Sequence, residues 1–214
     1  KHTNIILTED DFFDAIPDVV KTIASYDTTT VRASVGNHLV AKYIRDHSEC
    51  KVVFNGDGAD EVCGGYLYFH KAPDSIEFDK ECKRLLKDIC FYDVLRSDRT
   101  ISNNGLEART PFLDKHFVST YMSIPCDVRN HNIGGHQEKY LLRMAFKGYL
   151  PDAVLNRRKE AFSDGVSKET RSWHKIIEEK LGTLDIDTTK VYSHIQPKTK
   201  EQFYYRELFE NTYN

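Results

Sequence analysis

The sequence predicts an α/β fold in which part of a parallel sheet precedes a helix-rich remainder. Two short apolar runs, at residues 5–7 and 51–54, have the length and composition of strands. Two segments with helical spacing of apolar residues separate them, and strand, helix, helix and strand in this order are typical of a parallel sheet. From residue 74 onward apolar positions recur with a period of about 3.6, which predicts helices.

Each predicted helix has an apolar face. Thr8 is placed to cap the first helix, whose apolar positions are Phe12, Ile16, Val19, Val20 and Ile23. The second helix has its apolar positions at Val35, Leu39, Val40, Tyr43 and Ile44. Later helices are expected over residues 78–90, 138–146 and 175–181. The run KVVF at 51–54 is predicted to be a buried strand because it is short, β-branched and followed by an Asn-Gly turn signal.

Composition narrows the class of protein. With 214 residues, 40% of them apolar, the chain can bury a substantial core. A formal charge of −3 and the lack of a long basic or apolar run predict a cytoplasmic protein that binds neither nucleic acid nor a membrane. Five widely spaced cysteines without a C-x-x-C pair are expected to be reduced, mostly buried thiols.

The loop after the second predicted strand combines glycines with acidic residues. Gly56 and Gly58 permit positive φ and let backbone N–H groups approach a phosphate, while Asn55 can donate from its amide. The acidic side chains would repel a bare phosphate unless Mg²⁺ bridges them to it; they are Asp57, Asp60 and Glu61. The loop therefore indicates a metal-nucleotide site. A glycine-rich turn whose aspartates cap the next helix is the alternative.

Four motifs in order resemble the asparagine synthetase family. NGDGADEVCGGYLYFHKAP at 55–73 is similar to its S-G-E-G-S/A-D-E-x-x-G-G-Y-x-Y loop. YDTTTVRAS at 26–34 is similar to Y-D-x-T-T-x-R-A-S, and GLEARTPFLDKHFV at 105–118 to G-x-E-A-R-x-P-F-L-D. RRKEAFSDGV at 157–166 is similar to R-x-K-x-x-F-S-D-G-V. The resemblance implies a truncated parallel sheet of the PP-loop ATP pyrophosphatase type with a helix-rich C-terminal portion.

The resemblance also implies a reaction. ATP would activate the side-chain carboxylate of aspartate as an acyl-adenylate with release of pyrophosphate, and ammonia from glutamine would then attack to give asparagine. Positive charge must offset the repulsion between the carboxylate and the α-phosphate, and the implied sources are Lys159, Arg32 and Mg²⁺. ATP and Mg²⁺ are thus the implied cofactors.

The motif positions imply further site residues. Asp60 matches the aspartate that helps to bind magnesium, and Asn55 with Gly56 matches the pair that contacts ATP. Asp57 matches a glutamate that is important for forming the adenylate and for handling ammonia, and a carboxylate there can accept a proton. The remaining matches are Thr29 and Thr30 near the phosphates, with Asp93 and Arg96 near the aspartate substrate.

Departures from the family pattern occur at Asp57, at Asn55 and at the Gly36-Asn37 pair. Asp57 is one methylene shorter than glutamate, and a displacement of about an ångström can cost orders of magnitude in rate. Asn55 replaces serine and is expected to be tolerated. Gly36 and Asn37 replace a rigid proline-containing sequence, so the local helix entry can differ.

An S-G-G-x-D-S nucleotide loop and an N-terminal catalytic cysteine are absent from the sequence. We therefore expect a partial synthetase domain over 1–214, with an α/β nucleotide part at 1–65 and a mainly helical part at 66–214. Its partners would be aspartate, ATP, ammonia or glutamine, and the missing glutaminase domain and nucleotide loop of the same polypeptide, with a homodimer possible. The isolated chain is expected to have negligible synthetase activity.

Two other functions stay open at this stage. A related enzyme of the β-lactam synthetase type would adenylate a different carboxylate, although an acidic Asp57 fits ammonia better than ring closure. A non-catalytic nucleotide-binding or interaction module is the second alternative. Two structural expectations accompany them: buried ion pairs made by Glu107 and Arg109, and core packing by the aromatic cluster Tyr66, Tyr68 and Phe69.

Overall fold

A computed structural model describes residues 2–159 and 171–213. The chain divides into two compact units. The first unit comprises residues 1–51, 96–107 and 161–214, and the second comprises residues 52–95 and 108–160. Each unit is built from segments that are distant in the sequence.

Helices make up most of the regular structure in the described residues. In chain order they are α1 (Glu9–Asp14), α2 (Ile16–Ile23), α3 (Thr28–His47), α4 (Ala59–Cys63), α5 (Ser75–Asp88), α6 (Asp93–Ser102), α7 (Lys115–Ser123), α8 (Cys126–Arg129), α9 (Tyr140–Ala145), α10 (Asp152–Leu155), α11 (Trp173–Gly182) and α12 (Lys200–Tyr213). Short 3₁₀ helices cover Leu67–Lys71, Ile89–Phe91 and Pro111–Leu113. Among the described helices, none has both the length and the apolar character needed to cross a bilayer.

The two strands, β1 (Val52–Phe54) and β2 (Glu107–Arg109), form one short sheet. The N–H of Glu107 donates to the carbonyl of Lys51 at 2.7 Å, and the N–H of Asn55 donates to the carbonyl of Arg109 at 3.0 Å. The pairing advances in the same direction along both strands, so the sheet is parallel. The predicted α/β class, helix-rich with a short parallel sheet, is therefore confirmed.

Two predictions about strands are wrong. Residues 2–8 have no regular secondary structure, because the run at 5–7 has no strand partner in the described chain and Ile6 is 87% exposed. The strand in KVVF forms but is not buried: Val52 is 46% exposed and Phe54 is 79% exposed. These two side chains share one face of the sheet, and no described element covers it.

The first unit packs its helices around one apolar cluster. Trp173 of α11 contacts Phe12 of α1 edge to face, with 5.6 Å between the ring centres. The fully buried members of the cluster include Ile16, Val19, Val20, Ile23, Val31, Val35, Ile176, Ile177 and Tyr205. The predicted apolar face of the first helical segment is thus the core face, although that segment is divided into α1 and α2. Thr8 caps α1 as predicted, in a reciprocal capping box with Asp11.

Two smaller apolar clusters lie among the described residues of the second unit. One contains Val62, Cys63 and Tyr121, and the other contains Phe69, Phe78 and Cys82. All five cysteines are free, as predicted, but Cys50 and Cys90 are exposed, so the expectation of mostly buried thiols is wrong for these two. Cys50 lies in the connection between α3 and β1, and Cys90 lies in the 3₁₀ helix between α5 and α6.

A buried histidine lies in the second unit, next to α5. His131 is 2% exposed and packs edge to face against His70 and Phe78, with ring centres 4.7 and 5.4 Å apart. Neither of its ring nitrogens has a hydrogen-bond partner in the described part of the chain. Burial, with a smaller contribution from the charge of His70, lowers the pKa of His131 to about 4, below the ordinary value of 6.5.

This pKa predicts acid destabilisation. Between about pH 6.5 and pH 4 the unfolded chain binds a proton at His131 that the folded chain does not. The free energy of unfolding should therefore decrease as the pH is lowered through this range. The difference should be on the order of a few kcal/mol. Urea denaturation at a series of pH values should give a shallower dependence for His131→Phe than for the wild type. The control is His194→Phe, a substitution at an exposed histidine. The same slope of unfolding free energy against pH in all three chains would contradict the prediction.

Candidate active site

The loop between β1 and α4 is ordered by its own side chains. The amide of Asn55 donates to the carboxylate of Asp57 at 3.0 Å, and the N–H of Asp57 donates back to the Asn55 side-chain oxygen at 3.2 Å. Gly58 has φ of +90°, and a Cβ there would overlap the side chain of Leu113. Glycine is therefore required at this turn, which directs the chain into α4.

Asp60, in the first turn of α4, lies between two lysines. Lys139 Nζ is 2.8 Å from Oδ1 of Asp60, and Lys159 Nζ is 3.0 Å from Oδ2. The three side chains are each between 20% and 22% exposed, so water screens the two ion pairs only in part. One carboxylate thus positions two ammonium groups side by side at the carboxyl end of β1.

Gly65 makes room for this arrangement. A Cβ at this position would overlap both Oδ1 of Asp60 and Cε of Lys139. The N–H of Gly65 also donates to the carbonyl of Asp60 at 2.7 Å, which ends α4 next to the carboxylate. The second glycine of the motif's Gly-Gly pair therefore has a steric role: it lets a lysine reach the aspartate.

Lys139 was not among the site residues predicted from the sequence. It directly precedes α9 with φ of +60°, a left-handed conformation that costs a non-glycine residue roughly 1 kcal/mol or more. The ion pair with Asp60 is an interaction that offsets this cost. The only local signal was a glycine-rich turn before a helical pattern, and nothing in it identifies a partner far away in the sequence.

A buried carboxyl group lies beside the Asp60 cluster. Glu61 is 3% exposed, and the hydroxyl of Tyr66 donates to it at 2.5 Å. Burial raises the pKa of Glu61, and the negative charge of Asp93 raises it further. Burial and the bond to Glu61 also raise the pKa of Tyr66. Lys159 Nζ lies 5.7 Å from the centre of the Tyr66 ring, within the range of a cation–π interaction.

The aromatic cluster and the two charged residues of β2, Glu107 and Arg109, differ in part from expectation. Phe69 is 1% exposed and packs on Phe78, as a core residue should, but Tyr68 is 47% exposed and donates to Glu81 at 2.7 Å. Glu107 and Arg109 are both exposed, so the expectation that they form buried ion pairs is wrong. Their side chains point to the uncovered face of a two-stranded sheet.

Three of the predicted phosphate-binding residues lie in the first unit, at the start of α3. Thr30 donates from its N–H and hydroxyl to the carboxylate of Asp27, at 2.8 and 2.7 Å, and Thr29 is exposed in the same turn. Arg32 makes a bidentate ion pair with Glu201 of α12, in which Nε of Arg32 lies 2.7 Å from Oε1 of Glu201. Their participation in the site of Asp60 stays a prediction.

The predicted substrate residues Asp93 and Arg96 lie three positions apart on α6, so they are neighbours on one helix face. The influence of Asp93 on the pKa of Glu61 and of Tyr66 places it near the Asp60 cluster. The second unit contains most of the predicted site residues: Asn55, Gly56, Asp57, Asp60, Asp93 and Lys159.

No group of three or more His, Cys, Asp or Glu side chains suited to a metal ion occurs among the residues that the structure describes.

The whole described chain is similar in sequence to known proteins of one family. The family model described as asparagine synthase matches residues 1–80 and 74–214. The chain is 43% identical over 220 residues to asparagine synthetase [glutamine-hydrolyzing] of Gallus gallus, 42% identical over 221 residues to that of Bos taurus and 41% identical over 220 residues to that of Homo sapiens. Each alignment covers 100% of this chain.

The chain belongs to the asparagine synthase family, and the resemblance given by the four motifs is confirmed. It spans 39% of the length of these relatives.

The role of Gly65 can be tested by one substitution. Gly65→Ala should destabilise the chain by about 1–3 kcal/mol, because the new methyl group must displace Asp60 or Lys139. The measurement is the urea midpoint of unfolding. The control is Gly182→Ala at the end of α11, where a Cβ would meet no atom within 4 Å. A Gly65→Ala chain as stable as the control would show that the three side chains are not packed in this way.

Proposed function

We propose that this chain forms the part of a synthetase site that activates the side-chain carboxylate of aspartate with ATP. In the first step a carboxylate oxygen attacks the α-phosphorus, which forms an aspartyl-adenylate and releases pyrophosphate. In the second step ammonia derived from glutamine attacks the acyl carbon, and AMP leaves as asparagine forms. Membership of the asparagine synthase family supports this assignment.

The single observation that carries the proposal is the contact of Asp60 with Lys139 and Lys159. Adenylation brings two anions together and leaves a third, pyrophosphate, so the site needs fixed positive charge. In the structure one carboxylate positions two ammonium groups. The two lysines are then available to bind phosphate oxygens, while Asp60 takes a different partner.

Mg²⁺ fits as that partner. In nucleotide sites magnesium is commonly bound through one or two carboxylates together with water and substrate phosphates, so a single carboxylate next to two phosphate-binding lysines is a suitable donor set. Asp60 would bind the ion, which would supply charge neutralisation of the phosphates. We propose a Mg-ATP requirement on this basis.

Asp57 is proposed to handle the proton of the incoming ammonia. Its carboxylate already accepts from Asn55 at 3.0 Å, which orients it within the loop after β1. Asn55 and Gly56 would contact ATP, since an amide donor and an unhindered backbone suit phosphate oxygens. The shorter side chain of Asp57 lowers its reach compared with a glutamate, and a modest rate is expected from it.

Glu61 and Tyr66 are suited to orient Lys159 rather than to react. The buried Glu61 carboxyl accepts from the Tyr66 hydroxyl at 2.5 Å, and the Tyr66 ring lies under the Lys159 ammonium group.

The remaining predicted residues are proposed to bind the substrates. Thr29, Thr30 and Arg32 would complete phosphate binding, and Asp93 with Arg96 would bind aspartate. The parallel β1–β2 pairing and the site at the carboxyl end of β1 support a sheet of the PP-loop ATP pyrophosphatase type.

Calorimetric titration of Mg-ATP into the chain tests the proposal. Saturable binding is expected, and Asp60→Asn and Lys159→Gln should each weaken it at least about tenfold, because each removes a charged contact to the metal or a phosphate. Lys71→Gln, at an exposed lysine of the same unit, is the matched control and should leave binding unchanged. Flat heats from the wild type, or unchanged affinity in both site variants, would rule out the proposed nucleotide site.

A further inference from the structure

A second polar pocket lies in the first unit, between α2, α3 and the end of α12. Its volume is about 550 Å³, large enough for a small organic molecule rather than a single ion. Its walls include Lys21 of α2, His38, Lys42 and Arg45 of α3, and Tyr213 of α12. None of these residues belongs to the four motifs or to the site around Asp60.

The walls of this pocket carry an excess of positive charge. Three of the lining side chains are cationic, and Asp18 is the only acidic one that the described lining contains. Arg45 is already engaged, since its guanidinium pairs with Asp46 and donates to Asn104 at 2.8 Å. Lys21 and Lys42 have no ion-pair partner among the described residues, so their ammonium groups are available to a ligand.

Two backbone carbonyl oxygens at the end of α2 already accept side-chain hydrogen bonds. The carbonyl oxygens at the C-terminal end of a helix carry partial negative charge. At the end of α2 the carbonyl of Lys21 accepts from the Tyr213 hydroxyl at 2.5 Å, and the carbonyl of Ile23 accepts from Arg99. The same bonds tie α2 to α12 and α6, so the pocket has fixed walls.

His38 is a second, independent sign of a ligand site. It is 6% exposed, it lines the pocket, and its Nδ1 has no hydrogen-bond partner in the described part of the chain. A buried polar atom without a partner is costly and is rare in native structures. Burial lowers the pKa of His38, so at neutral pH the ring is uncharged and can both donate and accept a hydrogen bond.

We propose that this pocket binds a small organic polyanion, a molecule with phosphate or carboxylate groups and at least one hydroxyl group. Lys21 and Lys42 would pair with its anionic groups, and His38 and Asp18 would bond to its hydroxyl. This site is separate in its residues from the proposed nucleotide site, and it gives the first unit a binding function of its own.

The experiment follows the imidazole resonances of His38 in the intact, ¹⁵N-labelled chain during titration with citrate and, separately, with glycerol phosphate, each of which carries anionic groups and a hydroxyl group. At least one probe should cause a saturable shift of the His38 signals with a dissociation constant no weaker than about 10 mM. Added NaCl should weaken this binding, because the contacts are ionic and partly exposed.

Variants separate this pocket from other anion sites. The double variant Lys21→Gln/Lys42→Gln should lower the affinity at least about tenfold. His38→Phe lacks the reporting imidazole, so its binding is measured by calorimetry against the wild type; it should bind more weakly while its fold stays intact by circular dichroism. Lys175→Gln, at an exposed lysine of the same unit, should change nothing. Lys159→Gln should also leave the His38 titration unchanged, which excludes binding at the Asp60 site as its cause. Absence of any His38 shift with both probes, or a shift that survives in the double variant, would overturn the proposal.

Discussion

The organisation of the proposed site depends on one carboxylate, Asp60, that contacts two lysines at once. An isolated lysine at a half-buried position would lose hydration without compensation, and two of them together would repel each other. Asp60 removes both problems, because Lys139 and Lys159 each have an oxygen of their own at 2.8 and 3.0 Å. The positive charge that the proposed reaction requires is thereby fixed in place by the protein itself.

Local backbone requirements explain why the surrounding motif has its sequence. Gly58 turns the chain into α4 with a positive φ, and Gly64 ends that helix with φ of +63°, where a Cβ would overlap the ring of Phe78. Gly65 then leaves the space that Lys139 uses. Glycine and acid are crowded together in this stretch because a five-residue helix must start, present Asp60 and stop within a very short length.

Features set by nearby residues could be predicted from the sequence, and features set by distant contacts could not. The capping box at Thr8 and the long periodic helices α3 and α5 depend on local chemistry, and the ordered motifs identified the loop that carries Asp60. Lys139 was missed because its role arises from a contact with a remote part of the chain. The run at 5–7 has strand composition, yet a strand needs a partner, and β2 was overlooked because its partner β1 is far away in the sequence. Exposure of Phe54 likewise depends on which layers cover the sheet, and no local pattern reports that.

The most direct measurement is zero-length cross-linking of the intact chain with a carbodiimide, which joins a carboxylate to an amine in contact with it. Tandem mass spectrometry should find amide bonds from Asp60 to Lys139 and to Lys159, together with the reference bond between Asp79 and Lys83, which are 2.6 Å apart. Mg-ATP should reduce the Asp60 bonds and leave the reference unchanged. If the reference bond forms and no bond to Asp60 is found, the carboxylate does not organise these lysines and the account of the site is wrong.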